Sequence, residues 1–271
     1  SLKNVSGAYT KTEGTFLPGY LPKTSFIGQD LSLNAPGYDF IFGGQRDIRS
    51  RSLDNGWITR DSLLNQLYIN TVKEDMSFRG LVEPFRDLRI ELTATKSQSF
   101  NYSTNFKFLP SSNNFENLSP VTTGDFNISF FSMKTAFSKE NKLNNSSRLF
   151  QQFQENRAII SQRLGAQNPN SSGSTGGFAD GYGKSSQDVL IASFMAAYTG
   201  KDANKISLNR FPKVPIPNWR LSYNGLTKYS FFNEIFTSVD INHAYRSLYS
   251  VNGFNSLVRY QESNGAVNVK D

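Results

Sequence analysis

Gly181-Tyr182-Gly183-Lys184-Ser185-Ser186 sets a lysine and two hydroxyls behind a glycine, the order that closes a phosphate-cradling loop. That loop also needs a glycine five residues before Gly183 and a buried strand leading into it. Phe178 stands at the first of these positions, and no such strand precedes it, so the hexapeptide is not read as a nucleotide site. His243 is the single histidine. A Ser/His/Asp relay would have to use it, with Asp240 as a candidate acid. On an extended chain, residues three apart point to opposite faces, so His243 is read as a strand or girdle histidine. Glu83 and Asp87 fall in a turn, and no two acids share a strand face at glycosidase spacing. The Asn-rich loops lack the ladder of aspartates that an EF-hand needs. The chain has no cysteine, which excludes thiol catalysis, disulfides and cysteine-held zinc. The residues therefore predict no enzyme, no metal and no cofactor. What remains is the aromatic segment Trp219, Tyr223, Tyr229, Phe231, Phe232 and Phe236. Such rings make either a stacking platform for a ligand or an interfacial belt with polar tips and apolar bodies. Their place at a strand–turn–strand junction favours the belt.

The elements that would carry these residues are strands. Only 37% of the 271 residues are hydrophobic, little for one dry core of this size, yet Phe (23) and Tyr (12) are plentiful. That mix suits strands with one aromatic face and polar turns. The net charge is +7, but no run of five lysines or arginines exists, so no nucleic-acid partner is expected. No stretch of about 18 apolar residues is present, which excludes a transmembrane helix but not a barrel of short, half-apolar strands.

Residues 1–60 are punctuated by Pro and Gly, predicting short strands or an ordered loop, for example around Tyr38–Phe42, and no long element. Residues 67–82 read as extended, and Glu83–Asp87 as a turn. LRIELTATKSQSFNYSTNFKF (88–108) alternates twice, and its polar middle, Lys96–Ser99, predicts a hairpin. A polar loop over 110–124 and a strand over 126–137, with a bulge near Phe130–Phe131, follow. Two helices then interrupt the strands. The first is capped at Ser146 or Ser147 and ends at Gly165; the second is capped at Ser185 or Ser186 and ends at Gly200. The tract 167–183 between them reads as flexible. Strands are predicted from Trp219, across a turn at Asn224-Gly225 into 228–236, over 239–249, and, after a turn at Asn252-Gly253, over 254–260.

The residues 88–108 assign two faces. Leu88, Ile90, Leu92, Phe100, Tyr102, Phe106 and Phe108 form a greasy one. Arg89, Glu91, Thr93, Asn101, Ser103, Asn105 and Lys107 form a polar one. In a soluble sandwich the greasy face meets a second sheet; in an outer-membrane barrel it meets lipid and the polar face lines a wet lumen. Alternation alone does not separate these. Runs of roughly nine to twelve residues, aromatics near strand ends and tight turns alternating with long loops favour the barrel. A carbohydrate-binding β-sandwich module is the alternative.

FLPGYLP (16–22), GQDLSLNAPGYDFIFGGQ (28–45), LVEPFRDLRIELTATKS (81–97), RLFQQFQENRAIISQRL (148–164), PNWRLSYNGL (217–226) and INHAYRSLYSV (241–251) resemble the C-terminal part of the SprA/Sov family. These are very large outer-membrane translocons of the type IX secretion system of Bacteroidota, linked to gliding motility. The resemblance runs from about residue 14 to 260. It implies one transmembrane barrel of about 36 strands, all-β and antiparallel, with a two-helix insert at about 139–217. It implies a lumen that passes folded cargo proteins to the cell surface. It implies as partners the rest of the barrel chain, a PorV-type barrel protein, a plug protein, the cargo and the lipid bilayer. On that reading the chain is one segment of a longer protein, because six to eight strands would leave two bare sheet edges.

Overall fold

The computed structural model describes residues 1–136, 140–141, 146–169, 171–209 and 211–257. Antiparallel sheet (40% strand) outweighs helix (23%), and the sheet is not closed. The main sheet has seven strands: β1 (Leu2–Phe16), β2 (Tyr68–Val82), β3 (Leu88–Leu109), β4 (Asn114–Ser129), β5 (Asn218–Tyr223), β6 (Ile241–Tyr245) and β7 (Leu248–Leu257). Their order is β1-β2-β3-β4-β7, with β5 joining β3 to β6. The chain divides into two compact units. One comprises Ser1–Thr10, Glu74–Gln98 and Asp125–Asn252; the other comprises Lys11–Lys73, Ser99–Gly124 and the stretch from Gly253.

In the first unit, β5 pairs with the beginning of β3, from Leu88↔Tyr223 to Thr93↔Asn218. Immediately beyond, the Thr95 amide donates to Ser129 Oγ at the end of β4 (3.0 Å). One strand's place beside β3 is thus filled by β4 and then by β5, and the described residues between Phe130 and Pro217 leave the sheet between them. Four bonds stitch the exit. Ile216 N donates to Ser129 O (3.0 Å), Phe130 N to Ser247 O (3.1 Å), Ser247 N to Asn218 Oδ1 (2.8 Å) and Ser132 N to Tyr245 Oη (2.8 Å). The phase change at Phe130–Phe131 is therefore an exit rather than a bulge. Phe130 turns to Tyr249 and Phe131 to Trp219 and Tyr245. Of the strand expected over 126–137, residue 137 lies outside the described residues.

The insert carries α1 (Arg148–Gln167) and α2 (Gln187–Thr199). Ile160 of α1 meets Ala192 and Ala196 of α2, with Ala203 and Ile206 completing a small core. Arg163 fastens the following loop by donating to the carbonyls of Ala203 (2.5 Å) and Ile206 (2.9 Å). Gly165 does not end α1. It lies inside the helix, where a Cβ would stand 2.4 Å from the Ala179 Cβ and only glycine fits. The tract expected to be flexible instead holds a two-residue strand pair, Ser174–Thr175 with Phe178–Ala179. Ser161 Oγ ties it down, accepting from Ala179 N (2.9 Å) and donating to Tyr182 O (2.5 Å). α2 starts after Ser186 and stops at Gly200, whose φ of 64° supplies the left-handed cap.

The second unit packs the segment after β1 onto its own strands. Ile58, Tyr68, Tyr102 and Phe106 form one cluster, and Ala35, Ile48 and Trp57 another. Residues 1–60 hold a long strand after all. β1 escapes the sequence reading because its residues from Leu2 to Glu13 are almost all exposed on both sides, leaving no alternation to read. Tyr38–Ile41 is a helical turn, not a strand. β4 begins at Asn114 instead of after a polar loop, drawn in by Phe115 against Phe106 and Phe108 (ring centroids 5.7 and 5.5 Å).

Three further expectations fail. β3 runs unbroken through Lys96–Ser99, because β2 supplies partners for Lys96, Ser97 and Gln98. The segment 228–236 is helical at Ser230–Ile235, not a strand. Phe231 with Ile235 and Phe232 with Phe236 repeat at four residues, a helical spacing. Asn252-Gly253 lies within β7 and makes no hairpin turn; residues 258–260 of the strand expected there lie outside the described residues.

Candidate functional site

In the first unit β3, β5 and β6 build a two-faced ladder. Residues directly opposite in an antiparallel pair share a face. One set of rungs is Leu88–Tyr223–Ile241, Ile90–Leu221–His243 and Leu92–Trp219–Tyr245. Leu88, Ile90, Leu92, Trp219, Leu221, Tyr223 and Tyr245 are half-buried, while Ile241 and His243 are exposed. The rings condense around Trp219. Tyr245 stacks on it at 4.5 Å, Phe131 lies 6.2 Å away, and its indole Nε1 donates to His243 Nδ1 at 3.4 Å. The single histidine is thus an aromatic-face residue held by a tryptophan.

The alternate rungs are Arg89–Ser222–Asn242, Glu91–Arg220–Ala244 and Thr93–Asn218. Arg89 pairs with Glu91 at 3.0 Å, and Ser222 Oγ donates to Asn242 Oδ1 at 3.0 Å. Both signs of charge lie close together on this face, with no nucleophile–base pair among these residues. Among the described residues no three His, Asp or Glu side chains gather as metal ligands, and no helix is long and apolar enough to cross a membrane.

The turn that feeds the ladder is held from both sides. Asp87 has φ 70°, its carbonyl accepts from Asn224 N (3.2 Å), and its carboxylate pairs with Lys228. Phe85 sets its ring edge-on to Tyr223 at 6.0 Å. Of the expected belt, Trp219 and Tyr223 belong to the ladder. Tyr229, Phe231 and Phe236 are exposed on or beside the helical turn, and Phe232 packs edge-on to Phe231 at 5.4 Å.

The second unit treats its share of the two faces differently. Tyr102 and Phe106 were expected to meet lipid, but they are 4% and 3% exposed and pack on Ile58, Tyr68 and Leu17 of the protein itself. Phe100 is set edge-on to Phe254, and Phe108 to Phe115. On the polar side Asn101 is exposed and Ser103 half-buried. Lys107 Nζ is engaged by the Ser62 carbonyl (3.2 Å), and Asn105 Oδ1 is buried without a hydrogen-bond partner among the described residues. Of the residues on the expected faces, those at 88–93 are half-buried or exposed, whereas Tyr102 and Phe106 are covered by the protein itself.

No protein-family model matches this chain, and no curated protein matches it significantly.

Two charged centres went unread in the sequence. In the first unit Lys96 is buried against Glu74, which also accepts from Gln98 Nε2 at 2.6 Å, while Ser97 Oγ donates to Asp75 (2.7 Å). The signal was there: Lys96 keeps the phase of Ala94, and an unbroken strand would have put a lysine among apolar neighbours, demanding a counter-ion. In the second unit Arg49 is buried with its guanidinium 4.6 Å over Tyr68 and 5.7–5.8 Å from Tyr102 and Phe106. It pairs with Asp47 at 2.7 Å and donates to Asn117 Oδ1 at 2.5 Å. Burial alone would raise the Asp47 carboxyl pKa. The hydrogen bonds and charge of Arg49 outweigh it and hold the group below the usual carboxylate value.

Proposed function

We propose that this chain is a wall segment of a protein-conducting β-barrel in a bacterial outer membrane, of the SprA/Sov type. In this reading it acts by clearance, not chemistry, in exporting folded proteins to the cell surface and in the gliding motility linked to that export. The observation that carries the reading is the ladder of β3, β5 and β6. One face is a half-exposed band of Leu88, Ile90, Leu92, Trp219, Leu221 and Tyr223; the other is a mixed-charge face of Arg89, Glu91 and Arg220. An apolar or single-sign lining would trap passing proteins, whereas alternating charge does not. Strand length supports the same reading. β1 to β4 run 15, 15, 22 and 16 residues, beyond the roughly 9–11 that cross a bilayer. So do the outer strands of the open sheet, which offer backbone edges that further strands of a barrel would pair. The rest of such a barrel, a PorV-type barrel protein, a plug and the cargo are the partners in this proposal.

Fractionation of cells producing the native polypeptide tests it. The reading expects the protein in the outer membrane, released only by detergent and carried on a very large polypeptide. A monomer soluble without detergent would overturn it in favour of a carbohydrate-binding module, which immobilised glycans would then retain through the Trp219–Phe236 aromatics.

A further inference from the structure

The first unit holds a cavity of about 390 Å³ where the insert meets the end of β4. Ile128 and Phe130 form one wall, Met195 of α2 and Ile206 another, and Phe211 and Ile216 of the returning segment close it. Its rim is of one sign. Lys134, Lys201 and Lys213 line it, and among the described residues no aspartate or glutamate does. All three lysines are exposed, and none is in an ion pair among the described residues. Phe126, packed at 4.8 Å on Phe211, anchors the wall from below. The volume falls within the range of small-molecule sites.

Apolar walls under a cationic rim suit one kind of ligand. An alkyl chain would fill the cavity and remove its walls from water. An anionic head at the mouth would meet three ammonium groups that have no ion-pair partner among the described residues. A cationic or neutral head would gain nothing from the rim, and a free inorganic anion would leave the walls wet. We propose that this cavity binds a single-chain amphiphile with an anionic head, a long-chain carboxylate or an alkyl phosphate. The proposal does not depend on the channel reading, since the cavity belongs to the insert and its junction with β4.

Photolabelling of the full chain in a neutral detergent tests it, with a diazirine-tipped dodecanoate as the probe and peptide mapping as the readout. Labels are expected on residues 126–131, 195–201 and 206–216. Excess dodecanoate or dodecyl phosphate should remove them; competition by only one of the two identifies the head group and still supports the site. Dodecyltrimethylammonium and dodecanol should compete at least about tenfold less well, the ratio that corresponds to one lost charge-assisted contact. Lys201→Glu with Lys213→Glu should cut labelling about tenfold or more. Both positions are exposed, and an unchanged circular dichroism spectrum would show the fold intact. Lys201→Ala with Lys213→Ala should show a smaller loss in the same direction. Labels outside the cavity only, equal competition by the ammonium amphiphile, or labelling unchanged in the charge-reversed protein would overturn the proposal.

Discussion

Lys96 on β3 donates from Nζ to Glu74 Oε1 on β2 at 3.1 Å, with the two side chains 6% and 15% exposed. Removing one partner of such a pair leaves an uncompensated charge away from water. Lys96→Met or Glu74→Leu is expected to destabilise the fold by about 3–5 kcal/mol. The double replacement Lys96→Met/Glu74→Leu should cost less than either single change, because it leaves no charge behind. Urea unfolding of the three variants measures this. Additive costs in the double variant would mean that the two side chains act independently.

The Asp47–Arg49 pair predicts a pH dependence in the second unit. The folded-state pKa of Asp47 lies below its unfolded value, which is about 3.9. A depressed carboxylate contributes stability that is fully present above the unfolded pKa and fades as pH falls through the folded one. Asp47→Asn should therefore lose stability near neutrality and flatten the acid limb below about pH 4. Arg49→Lys should keep the charge and lose the forked contact to Asp47 and the stacking over Tyr68. Unfolding midpoints between pH 2 and 7 check both. An acid limb unchanged in Asp47→Asn would remove this pair as its source.

Where local residue types are decisive the sequence was legible: the extended segment of β2, the Glu83–Asp87 turn, the alternating Trp219, Leu221 and Tyr223 of β5, and α2 between Ser186 and Gly200 all lie where the residue pattern puts them. The two helices of the insert were legible too, through the serines that precede them and, for α2, the glycine that ends it. The rest failed for identifiable reasons. β1 is an outer strand with residues such as Leu2, Val5 and Tyr9 in the open, so its pairing with β2 leaves no hydrophobic period. Lys96-Ser97-Gln98 is locally a turn-like sequence, and only Glu74 and Asp75, more than twenty residues earlier, make it a strand. Tyr102 and Phe106 have the right alternation for an open face, but the segment that covers them is separated from them in sequence. Alternation reports that a face is apolar, and long-range contacts decide what meets it.

Gly165 sets two effects against each other. Alanine is better than glycine inside a helix by about 1 kcal/mol. Here, however, a Cβ would approach the Ala179 Cβ to 2.4 Å, and overpacking typically costs about 1–3 kcal/mol. Gly165→Ala is expected to destabilise the insert on balance, and Gly165→Ala/Ala179→Gly to recover part of the loss. Thermal unfolding of the two variants decides the sign. A stabilised single variant would show that the tract around Ala179 yields without resistance.

The faces of the ladder can be separated by charge. Leu92 and Thr93 are neighbours on β3, one opposite Trp219 and the other opposite Asn218. If the Leu92 face meets lipid, Leu92→Arg should cost about 2–4 kcal/mol near the bilayer midplane, while Thr93→Arg on the mixed-charge face stays mild. In water a half-exposed leucine would accept arginine far more cheaply, since the long side chain can carry its charge outward. Phe106→Arg serves as the contrast. Its ring is buried in the protein near Arg49, so a second guanidinium there should destabilise the fold in any solvent. Outer-membrane assembly yield of the three variants, compared with their unfolding in detergent, distinguishes the causes. A lipid-facing Leu92 predicts loss of assembly with little loss of stability in detergent, and Phe106→Arg predicts loss of both. Equal assembly of Leu92→Arg and Thr93→Arg would refute the lipid assignment for this face.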